Sequence, residues 1–65
     1  MENLKEHYLN LADSYAMEAL SFAKMANKHW NTPDKGDLVL KCAKLAEMNC
    51  RLAELYYNRA RDFKE

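Results

Sequence analysis

Isoleucine is absent from these 65 residues, and Thr32 and Val39 are the only β-branched side chains. Pleated sheets draw heavily on such residues, so all-β and α/β folds are excluded on propensity. Glycine and proline occur once each, at Gly36 and Pro33, so breaker chemistry is confined to one short segment. No apolar run is long enough to span a bilayer. The opening residues, Met1 to Glu6, are polar and lack the apolar stretch of an export signal, which makes the expectation cytoplasmic. An excess of charge is missing too. Ten basic and ten acidic residues cancel, which removes any bulk drive toward nucleic acid or an anionic membrane.

Alanine and leucine, nine of each, are what the chain has in quantity, within a composition 49% apolar and 31% charged. These are strong helix formers, and the class they predict is all-α. Sixty-five residues make one domain, 1–65, and a core that small is marginal without a metal, a disulfide or a second chain. Cys42 and Cys50 fall eight apart on one predicted helix, roughly 12 Å between Cα atoms, too far for a bridge within a chain. Two free, small, buried thiols are the expectation.

The first helix reads from about residue 3 to 30, with Asn3 as its cap and Glu6 returning the bond. A turn at 31–36 follows. The second helix starts either at Pro33 behind a Thr32 cap or about a turn later, near Asp37, an alternative cap just after Gly36, and runs to about residue 63. A short link between long helices predicts an antiparallel hairpin.

Two seams run along each helix. The large one on helix one is Leu4, Tyr8, Leu11, Tyr15, Glu18, Phe22, Met25 and His29. Beside it lie Ala12, Ala16, Ala19, Ala23 and Ala26. On helix two the large seam is Leu38, Cys42, Leu45, Asn49, Leu52, Tyr56, Arg59 and Phe63. Its small seam is Val39, Ala43, Ala46, Cys50, Ala53, Tyr57 and Ala60. Alanine seams permit close helix approach, so they are expected to face each other within the hairpin. The large seams then need another surface. A second copy supplies it, giving a homodimeric four-helix bundle with Tyr8, Leu11, Tyr15, Phe22, Leu45, Leu52 and Tyr56 as the dimer core. With the turn centred near Pro33–Asp34, Glu18 stands opposite Asn49, and the pair is expected to form a polar layer that fixes register.

Chemistry-bearing patterns are sparse. No Gly-rich phosphate loop, no His beside a nucleophile and no Glu-x-x-His helix motif occurs, so an enzyme and a cofactor are not expected. His7 and His29 lie near opposite ends of helix one, and neither cysteine has metal-ligand spacing. A metal-binding bundle is the third of three function classes, with no ligand residues to nominate.

Two surfaces are candidates for a partner. Met17 and Leu20 on helix one, and Lys44, Met48, Arg51 and Leu55 on helix two, place apolar spots beside cations on faces that a bundle leaves exposed. At the turn end Lys24, Lys28, His29, Trp30, Lys35 and Lys41 gather basic and aromatic side chains that suit a nucleotide or a protein. The plainer role for Trp30 is an end cap over Leu38 and Val39.

In size and layout the hairpin resembles the Rop-type plasmid-encoded RNA-binding hairpins, which dimerise into four-helix bundles. The resemblance covers architecture only and implies RNA binding as an alternative function. The leading reading is a small interaction module, an adaptor or inhibitor of the kind phages and mobile elements encode, acting on another protein.

Overall fold

Asn3 opens the first helix as its spacing predicts. Its backbone is extended, and its Oδ1 accepts the Glu6 backbone N–H at 2.8 Å. The computed structural model describes residues 3–63, so Met1, Glu2, Lys64 and Glu65, the ends of the expected 1–65 domain, lie outside the described residues. Two helices account for nearly all of it: α1, Leu4–Lys28, and α2, Gly36–Asp62. They pack against each other as a hairpin measuring 52 × 18 × 11 Å. Among the described residues no helix is long and apolar enough to cross a membrane.

The seven residues 29–35 make the link, and both expected starts for the second helix give way to a third. Thr32 does not cap α2 and Pro33 is not its first residue. Instead the Lys35 N–H donates to the Thr32 carbonyl at 3.3 Å, closing a turn with Pro33 and Asp34 at its centre. Asp34 has φ 66°, the left-handed conformation that Asp tolerates better than most residues. Proline followed by a positive φ is the pattern of a type II turn, and this use of Pro33 competes with its use inside a helix. α2 then begins at Gly36 behind Lys35, without a side-chain cap, and Asp37 falls within the first turn.

The alanine seams do not meet as a pair. Buried and half-buried positions of α1 run Tyr8, Ala12, Tyr15, Ala19, Phe22 and Ala26, continued by its cap His29, with Leu11 and Ala16 beside them. Those of α2 run Val39, Cys42, Ala46, Asn49, Ala53, Tyr56 and Ala60, continued by its cap Phe63, with Leu38 and Leu52 beside them. Each helix is thus rotated so that the contact line takes alternate members of both seams. An all-alanine interface would bury little area per turn, whereas a ring over an alanine fills the space between helices 8–10 Å apart. The rings interlock at the open end. Tyr15 stacks on Tyr56 at 5.7 Å between centroids, Tyr56 on Tyr8 at 6.1 Å, and Tyr8 meets Phe63 edge-on at 6.4 Å.

The expected Glu18–Asn49 layer is absent. Tyr15 is level with Tyr56 and Asp13 with Tyr57, which sets Asn49 about a turn away from Glu18. Asn49 is buried in the contact line and donates its Nδ2 to the Leu45 carbonyl of its own helix at 2.9 Å, while Glu18 is exposed. Because that carbonyl belongs to an intact helix, Asn49→Leu leaves no buried group stranded. The substitution is expected to raise stability by about 1 kcal/mol, seen as a higher urea midpoint at unchanged slope.

Candidate functional site

What this hairpin buries is small. Ala12, Ala19, Val39, Cys42, Ala53 and Ala60 form the core, and among the described residues no large side chain is fully covered. Accessible surface is 5321 Å² for a chain of 7.6 kDa. A folded monomer of that mass ordinarily exposes about 4,300 Å², so roughly 1,000 Å² is left over. That excess matches one broad side of a 52 × 18 Å plate.

Heptad spacing shows which side carries the largest residues. Leu4, Leu11, Glu18 and Met25 recur every seventh residue along α1, as do Leu38, Leu45, Leu52 and Arg59 along α2, so both rows lie on one face. Leu4, Met25 and Leu45 are exposed, and Leu11, Leu38 and Leu52 are half-buried. Of the expected dimer core, Tyr8, Tyr15, Phe22 and Tyr56 are thus partly spent inside the hairpin, while Leu11, Leu45 and Leu52 flank the contact line on this face. The Arg59 guanidinium lies 5.9 Å from the Tyr56 ring centre and covers part of it.

The nominated partner-contact residues do not form one patch. Lys44, Met48, Arg51 and Leu55 share the outward side of α2, and Met17 the outward side of α1, which are opposite edges of the hairpin. All are exposed, Met17 at 71%. Arg51 is held by Glu47 one turn back, at 2.6 Å, an open i, i+4 pair of the ordinary solvated kind. Of the six, Leu20 lines a concave surface.

At the turn end Trp30 is 70% exposed and does not cap the hairpin. Val39 is nonetheless buried, and Trp30 falls in the 29–35 link, beyond the last residue of α1. His29 is half-buried and its backbone N–H donates to the Met25 carbonyl at 3.2 Å, while Lys24, Lys28, Lys35 and Lys41 are exposed.

The concave surface is a groove of about 500 Å³ lined by Ala16, Ala19, Leu20, Ala23, Ala46, Cys50, Ala53, Glu54 and Tyr57. Apart from Leu20, sequence reasoning assigned none of these residues to a partner. The available signal was the outer edge of the small seam, where Ala16 and Ala23, then Cys50 and Tyr57, repeat every seventh residue. Cys42 is buried as expected, but Cys50 is an exposed thiol on the groove wall. Among the described residues no group of three or more His, Cys, Asp or Glu side chains comes together.

Across one end of the groove the Tyr57 hydroxyl donates to Asp13 Oδ1, tying α2 to α1. That bond, then desolvation, then the charge on Asp13 raise the phenol above its ordinary 10.0. A group with a raised folded-state pKa lends stability below its unfolded value and loses it as pH climbs through the folded one. The tie therefore holds at neutral pH and fails in alkali. Tyr57→Phe should lessen the stability loss from about pH 10 upward, measured by urea unfolding across an alkaline pH series.

Comparison with protein-family models, with curated proteins and with solved structures finds no match to this chain.

Proposed function

We propose that this protein is a non-enzymatic interaction module, an adaptor or inhibitor, whose working form is a homodimeric four-helix bundle. The observation that carries the reading is the surplus of roughly 1,000 Å² of accessible surface on a hairpin whose core is mostly alanine. A standard stable interface removes about 800 Å² from each partner, so one face laid on its copy absorbs the surplus. The leucine face, with Leu11, Leu45 and Leu52, is the side proposed to do so. A two-fold dimer formed there sets Glu18 and Arg59 against the partner's face, where opposite charges can pair across the axis.

The bundle then works by binding a different protein through surfaces left outside the dimer. The free thiols of Cys42 and Cys50 support a reducing, cytoplasmic setting. A second reading, an RNA-binding regulator of the Rop type, is favoured by one observation: Trp30 is exposed in the link, as are Lys28 and Lys35 to either side of it in sequence, and its ring is available to stack on a base. The balanced net charge weighs against it, because phosphate contacts dominate such affinity.

Tagged protein drawn from its host lysate, with and without RNase, separates the two. One stoichiometric protein partner that survives RNase supports the adaptor reading. Recovered RNA that is lost with Lys28→Ala and Trp30→Ala, and that weakens steeply with salt, replaces it with the second.

A further inference from the structure

We propose that the alanine-floored groove is the docking site for a single helix of a partner protein, apolar along one seam and basic at one end. The inference rests on the interaction-module reading and names the surface and the partner's chemistry.

Position comes first. Five residues separate Leu11 from Ala16, Leu45 from Cys50 and Leu52 from Tyr57. At about 100° per residue that is about 140° of helix rotation, which sets the groove on the side of the hairpin away from the leucine face. A two-fold dimer on the leucine face therefore leaves two identical grooves pointing outward. A further copy seated in each would add hairpins without closure and build open stacks, so the fitting occupant is a different chain.

Shape and charge then define that chain. The α2 wall runs from Ala46 to Tyr57, about 16 Å of helix, which accommodates some three turns of an incoming one. A floor of Ala16, Ala19, Ala23 and Ala53 has no ridges of its own, so the knobs must come from the visitor as large residues at i, i+3 or i+4, and i+7. No basic side chain lines the groove. Its charged member is Glu54, which makes no ion pair among the described residues, and Asp13 stands at the same end as the acceptor from Tyr57. Arg61 follows one turn beyond Tyr57, but Asp62 offsets its charge at 3.3 Å, so the two carboxylates beside the apolar trough favour lysine or arginine over an acidic helix.

Cys50 makes the occupancy readable, since it is exposed on the groove wall whereas Cys42 is buried. The probe is a designed 18-residue helical peptide with a leucine seam and arginines near one end; its twin carries glutamates in their place. Iodoacetamide labelling of Cys50 in the full-length protein is followed by mass spectrometry. The arginine peptide is expected to slow labelling at least about tenfold at saturation, one peptide per chain, while the twin at equal concentration leaves it unchanged. Glu54→Arg on the exposed wall should reverse the preference. Equal protection by both peptides, or by neither, overturns the proposal. So does protection that grows with protein concentration alone, which means a second copy fills the groove. Sedimentation of the same samples reports the dimer independently, so loss of the bundle and loss of the docking site are told apart.

Discussion

Leu52→Asp should weaken self-association by about two to four orders of magnitude. Burying a leucine is worth about 1.5–3 kcal/mol, and a two-fold axis makes each substitution act twice, which gives about 3–6 kcal/mol per dimer. Leu52 is only half-buried within its own hairpin, so most of that loss falls on assembly. Sedimentation velocity over a concentration series measures the shift. Leu40→Asp is the control: Leu40 is exposed and projects from the outer side of α2, away from the leucine row, so it should leave the dissociation constant unchanged. Equal loss from both variants, or from neither, would remove the leucine face from the dimer.

The second large effect lies inside the hairpin. Ala12 is 0% exposed, and ring-bearing neighbours in the contact line leave no room for a longer side chain. Ala12→Leu must push the helices apart or force strained rotamers, which costs about 1–3 kcal/mol. For a domain this size each kcal/mol corresponds to about 4–8 °C in Tm. Splaying also separates Tyr57 from Asp13, so the elevated tyrosine titration should fall back toward 10.0 in the same variant. Ala23→Leu, at an exposed position of the groove floor, should change stability by no more than about 0.5 kcal/mol. Thermal unfolding by circular dichroism distinguishes the pair.

The hairpin was legible because the chain has one breaker segment and two long periodic stretches. Helix propensity and the Asn3 cap place α1 within two residues at its end, and α2 within one or three at its start. The link was less legible, since Pro33 suits both the first residue of a helix and the centre of a turn. Local sequence does not say which use wins; the left-handed Asp34 decides it. Helix rotation was not legible either. Ala12 and Tyr15 belong to different seams, and each seam is a valid heptad line. Only the packing energy of rings against alanines selects the line between them, and that depends on both helices at once. The same rotation removed Asn49 from its expected place opposite Glu18, and opened the groove beside Ala16, Ala23 and Cys50. A surface made by two helices jointly leaves little trace in either one's periodicity.

Sedimentation equilibrium at micromolar concentration, paired with thermal melts over a range of dilutions, tests the dimer most directly. The expected species has twice the 7.6 kDa chain mass, and its Tm falls on dilution because folding and assembly are linked. A species of 7.6 kDa that stays helical and melts cooperatively at the same temperature at every concentration would contradict it.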